Sequence, residues 1–198
     1  MRPVRPLLLP FLLAVSCLAA RAGEIRGTIF VGDGERPIRI LRPPLERWSF
    51  LPSPEPRDPA LFLSIVDAEW GSRVDFRSYP PPGTHEDPTP EDPADRLTRE
   101  LAGELAPAGG EAHRPVREER SIAGRTAVIW TFEGRPATGG EDLGVVRFEV
   151  WRIVAGDALL VVLFRVPEPA LRGRAKGPTE AALDYIRKNL WIPEEGGE

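Results

Sequence analysis

The residues of this 198-residue chain best suited to chemistry are two histidines, one cysteine and a short acidic run. His85, Glu86, Asp87, Glu91 and Asp92 form the densest polar cluster. Hard carboxylate oxygens of this kind suit calcium, with His85 incidental. A calcium loop needs ligands at alternating positions around a sharp glycine turn, and here Gly83 precedes the cluster. The near-duplicates Glu86-Asp87-Pro88 and Glu91-Asp92-Pro93 read instead as a solvated loop stiffened by proline. The expectation is therefore no metal, with Glu86, Asp87, Glu91 and Asp92 as the candidates if one binds. His85-Glu86 also lacks the second histidine of a zinc helix, which Pro88 would break.

Nucleophilic catalysis finds no template. There is no G-x-S-x-G elbow and no P-loop, and Gly32-x-Gly34 precedes a strand and reads as a turn. His113 stands alone in a segment of mixed charge and reads as a surface residue. A serine triad can be assembled from distant residues, so an unrecognised hydrolase stays as an alternative. Among 30 acidic residues, carboxylate pairs are unavoidable and carry no information. The chain is expected not to be an enzyme, with no catalytic residue and no cofactor assigned.

Five tryptophans offer apolar surface. Trp48, Trp130 and Trp191 read as core or edge packing, and Trp151, sharing a strand face with Arg147 and Glu149, as lying beneath a helix edge. Trp70 sits beside Gly71 at a hairpin tip, where an aromatic face needs a cover. It is the candidate contact for a protein partner of unknown identity.

Cys17 belongs to an export leader. Arg2 and Arg5 precede a short apolar stretch, Leu7–Val15, and Ala20-Arg21-Ala22 fits the small-x-small cleavage rule. Residues 1–22 are thus expected to be a signal peptide cut before Gly23, leaving residues 23–198 as a single domain. Ala14-Val15-Ser16-Cys17 also resembles a lipobox, so Cys17 is a lipidation candidate. The expected location is periplasmic or extracellular, with membrane contact only through a lipid on Cys17. Loss of Arg2, Arg5 and Arg21 lowers the basic count from 26 to 23 against 30 acids, which disfavours nucleic acid as a partner. The mature chain holds no cysteine, so no disulfide supports it.

Arginine outnumbers lysine 24 to 2, a bias that GC-rich codons explain. Glycine and proline make 42 of 198 residues, but unevenly: thirteen of the 23 prolines lie between residues 37 and 93, and residues 116–166 contain only Pro136. The front is read as loop-rich and the back as a compact sheet. Strands are expected over Glu24–Val31, Pro37–Leu41, Leu61–Val66 and Arg73–Tyr79, with residues 42–59 irregular and anchored by Trp48 and Phe50. On the Arg73 strand, Val74 and Phe76 share one face, and Arg73, Asp75 and Arg77 share a wet one.

Asp92 reads as an N-cap with Pro93 at the first helical position, opening a helix to about Ala106 with Leu97, Leu101 and Leu105 in register. Strands follow over Pro115–Ile122, Arg125–Glu133, Val145–Val154 and Leu159–Val166. The last is apolar on both faces and is expected to be central and doubly covered. A closing helix is expected over Pro178–Leu190. Tight turns between strands imply antiparallel pairing. The fold class is α+β, an antiparallel sheet of about six or more strands packed between helices.

Several core patterns resemble one family: Trp48-Ser49-Phe50 after Arg42-Pro43-Pro44, the strand Ala123–Phe132, the hairpin Val145–Val162 and the closing helix Ala182–Leu190. These are similar to the PsbP/Mog-type sandwich, which includes the DcrB-like bacterial envelope lipoproteins. The resemblance covers most of residues 37–192 and implies an α-β-α fold, with no functional residue to carry over. Its bacterial exported members imply a binding or assembly-assisting envelope protein. A small-molecule carrier using a crevice between sheet and helix is the alternative.

Overall fold

The computed structural model describes residues 24–32, 38–52, 58–80, 91–105, 114–135 and 144–192. The C-terminal half makes the centre of the molecule. β7 (Val116–Ile122) and β8 (Arg125–Gly134) pair across the Ala123-Gly124 turn, and β9 (Val146–Ala155) and β10 (Ala158–Pro167) across Gly156-Asp157. Front-half strands β4 (Trp48–Pro52), β5 (Leu61–Asp67) and β6 (Arg73–Tyr79) extend the same sheet. The spatial order is β4-β5-β6-β10-β9-β8-β7, antiparallel throughout. β10 is the middle strand of seven, and of its residues only Arg165 is exposed. Central placement and double cover are what its continuous apolar run demanded.

Each face of this sheet carries a layer. On one face, Trp130, Phe132, Phe148, Val150 and Leu159 pack with Ala94 and Leu105 at the two ends of α1 (Pro93–Glu104). Asp92 caps α1 by accepting from the Ala94 amide at 2.9 Å, as the Asp-Pro pair predicts. On the other face, Ile129, Trp151, Ile153 and Phe164 pack with Leu183 and Ile186 of α2 (Gly173–Lys188). A short 3-10 turn, Glu168–Leu171, leads from β10 toward α2. The same core takes in a small sheet of order β1-β2-β3-β11, made of Glu24–Arg26, Ile29–Val31, Arg39–Leu41 and Leu190–Trp191. The result is an α+β sandwich with helices on both sides of the large sheet.

Four local readings are corrected. Glu24–Val31 is a hairpin of β1 and β2 and not one strand, because Gly27 adopts φ +62°, the left-handed region that lets the chain reverse. Residues 48–52 are a strand and not irregular: Trp48 is fully buried, and the segment pairs with β5 from Trp48 opposite Asp67 to Pro52 opposite Leu63. α2 opens at Gly173, with Pro178 inside it. Ala175 and Thr179 are buried on the same stripe as Ala182 and Ile186, and this burial outweighs the hydrogen bond that Pro178 cannot make. α2 also stops before Leu190, which enters β11 opposite Ile40 and is buried there instead.

Trp191 takes the edge position of the two expected for it: it is 47% exposed on β11, the last strand of the small sheet, with the Arg39 guanidinium 4.7 Å above its ring. One side-chain expectation changes as well. The Arg73-Asp75-Arg77 face is not a wet face, since Asp75 is buried and both arginines are half-buried. Trp151 does lie under α2: its Nε1 donates to Glu149 (2.6 Å), which also accepts from Arg187 of α2 (2.9 Å).

Candidate functional site

The covered charges of β6 point to the site. α1 packs over β8 and β9, and beside its C-terminal turn a crevice of about 440 Å³ opens over β6 and β10. Its polar lining is Arg73, Asp75, Arg77, Arg165 and Glu104. Its apolar lining is Leu101 and Leu105 from α1, with Leu61, Phe148 and Leu163 from the sheet. The volume falls within the usual range for small-molecule sites. Gly134 helps to shape the wall, because a Cβ there would stand 3.0 Å from the Leu105 Cβ, and its absence lets the helix end seat against β8.

Register decides how the charges meet. Across the β6–β10 ladder Arg165 faces Arg73, and Leu163 faces Asp75. Asp75 is engaged from three directions: Ser64 Oγ donates to it at 2.5 Å, Arg73 Nε donates to it at 2.5 Å, and Arg77 Nη2 lies 3.6 Å away. Arg77 Nε donates to Asp58 at 2.9 Å, while Arg77 Nη1 is buried without an acceptor among the described residues. Arg165 is exposed and has no ion-pair partner among the described residues. Like charges directly opposite on neighbouring strands repel. The crevice thus holds three guanidinium groups against two carboxylates, one of them already satisfied.

Guanidinium groups keep their protons at any physiological pH and present only donors, so this set can bind and orient an acceptor but cannot relay protons. Ser64 is buried, and its hydroxyl holds the Asp75 carboxylate. Nearby, burial raises the Tyr79 phenol above its ordinary range against the opposing pull of Arg77, which keeps it neutral.

Trp70, Glu91 and Asp92, which the sequence singled out, are not in the crevice lining. Glu91 forms a two-pronged ion pair with Arg99, and Asp92 pairs with Arg152 while capping α1. Cys17, His85, Glu86, Asp87 and His113 lie outside the described residues, as does the leader. Among the described residues no group of three His, Cys, Asp or Glu side chains gathers as a metal site. Trp70 is half-buried and packs against the core on the α2 face, its Nε1 buried without an acceptor among the described residues. The crevice arginines were not picked out by sequence reasoning. The one signal was Arg165, the sole charge in the run Ala158–Pro167. No helix among the described residues is long and apolar enough to cross a membrane.

No family model matches the chain, and no curated protein matches it in sequence. Solved structures do. The cyanobacterial PsbP protein CyanoP from Synechocystis sp. PCC 6803 superimposes with a TM-score of 0.53 at 13% identity, over 86% of this chain and 98% of its own. LpqN of Mycobacterium tuberculosis, described as involved in cell envelope biogenesis, superimposes with a TM-score of 0.51 at 14% identity, over 82% of this chain and 87% of its own. At these identities the likeness establishes the fold: the chain is a PsbP-like α+β sandwich, as its core patterns implied.

Proposed function

We propose that this chain is an exported protein of the cell envelope that works by binding and not by catalysis, assisting a protein partner or larger assembly. The observation that carries this reading is the fold shared with LpqN, a protein involved in cell envelope biogenesis. The leader pattern of residues 1–22 supports export, and the three guanidinium donors gathered in the crevice support binding. Full-length chain produced in a bacterial host is fractionated and its mature N-terminus read by mass spectrometry. A product in the envelope or periplasmic fraction that begins at Gly23, or at a lipid-modified Cys17, is expected. An uncut chain confined to the cytosol overturns export. Turnover above background in an esterase, phosphatase or glycosidase panel, abolished in a Ser64→Ala variant, would overturn the non-catalytic part.

A second reading is favoured by the crevice itself: the chain carries a small molecule between α1 and the sheet. Its lining joins leucine and phenylalanine side chains to three arginines and two carboxylates. Native mass spectrometry of freshly purified protein is expected to show a bound mass that denaturation releases. A clean apo mass from an envelope-derived preparation counts against the carrier.

A further inference from the structure

We propose that the crevice beside α1 binds an amphipathic anion: one carboxylate or phosphate head on an unbranched apolar chain. The inference rests on the carrier reading and assigns its ligand class. Two observations define the head. Arg165 stands across the β6–β10 ladder from Arg73 and has no ion-pair partner among the described residues, so an anion held beside the two would relieve their repulsion. Arg77 lines the same crevice and adds a further guanidinium charge to it. Asp75 cannot fill this role, since Ser64, Arg73 and Arg77 already surround it. A carboxylate or phosphate matches the guanidinium fork and is its strongest hydrogen-bonding partner.

The remaining lining defines the body of the ligand. Leu101 and Leu105 come from α1, and Leu163 and Phe148 from the central strands, with Phe148 directly across the β9–β10 ladder from Arg165. An inorganic anion would leave this apolar wall against water, whereas an alkyl chain covers it while its head stays at the arginines. Glu104 at the helix end opposes a second negative charge in the crevice, which favours a single head.

Calorimetric titration of the full mature protein with decanoate, monodecyl phosphate, 1-decanol and inorganic phosphate tests the assignment, with methyl NMR shifts of Leu101 and Leu163 as locator. Decanoate or monodecyl phosphate is expected to bind with shifts in both leucines, and the tighter of the two identifies the head. Arg165 is exposed, so Arg165→Gln is expected to fold and to weaken binding at least tenfold, while Arg165→Lys retains most of it. If 1-decanol binds as tightly as decanoate, or Arg165→Gln binds like the parent, the anion assignment fails while the carrier reading stands. Inorganic phosphate binding as tightly as monodecyl phosphate removes the apolar part. No leucine shift with any of the four probes overturns both the assignment and the carrier reading.

Discussion

At the scale of single residues, Glu168 is the most instructive. Its carboxylate accepts from the Val145 amide at 2.9 Å and pairs with Arg172, while its own amide donates to the Val145 carbonyl at 2.7 Å. It therefore closes the open end of the β9–β10 hairpin. The Val145 hydrogen bond, aided by the charge of Arg172, lowers its pKa below the ordinary glutamate value. A carboxyl whose pKa is lower in the folded state stabilises the fold above the unfolded value, and the contribution fades as pH falls through the folded one. Glu168→Gln is thus expected to lower Tm at pH 7. The gap from the parent should narrow progressively as pH drops below about 4.5, and a gap unchanged across thermal melts from pH 7 to pH 3 would refute this. The facing residue, Gly144, holds φ +62°, and a Cβ there would lie 2.3 Å from Glu168 Oε2. Gly144→Ala should cost about 1–2 kcal/mol for the backbone alone. It should also weaken the Glu168 clamp, so the double variant with Glu168→Gln is expected to lose less than the sum of the two.

At the scale of elements, Asp92 joins two tasks, capping α1 and holding Arg152 on β9. Asp92→Ala should cost about 1 kcal/mol through the cap, plus whatever the ion pair adds, whereas Asp92→Asn keeps a capping oxygen and should lose only the charge. Urea unfolding that ranks Asn equal to Ala would place the stabilisation in the ion pair and not in the cap. This helix start was legible in the sequence because cap and Pro93 are local signals, as were the turns at Ala123-Gly124 and Gly156-Asp157 that set the register of β7 to β10. Where local signals misled, tertiary burial had overruled them. Pro178 marked a helix start, yet Ala175 and Thr179 bury the turn around it. The prolines around Trp48 suggested an irregular segment, yet β5 offered an edge to pair with. The crevice was hidden for the same reason: that Arg165 faces Arg73 is a fact of cross-strand register, 92 positions apart in sequence. Arginines at alternating positions on β6 look solvated until a helix end is known to close over them.

At the scale of the whole molecule, the question is whether two sheets make one cooperative unit. Each strand of the small sheet has only two or three residues, too few to be stable alone. Its buried side chains, however, do not form a core of their own. The Phe30 ring lies 5.8 Å from Phe62, which lies 6.5 Å from Phe76 on the large sheet. Ile38 and Ile40 belong to the same buried cluster as Leu183 and Ile186 of α2, and β11 follows α2 directly to pair with β3. The small sheet is therefore a flap pinned to the large one by a shared core, and its loss would uncover α2 and β5 together. Phe30→Ala should cost about 3–5 kcal/mol and move a single unfolding transition to lower temperature. Calorimetry that instead splits the transition in two, leaving the Tm of the large sheet in place, would show the flap to be an independent unit. Hydrogen exchange gives the complementary reading. β10, flanked by β6 and β9 and covered on both faces, should hold the slowest amides, and they should exchange through global unfolding. In the Phe30→Ala variant their protection should fall by the same free energy as the calorimetric loss, because damage at the flap is felt at the centre only if the two share one transition.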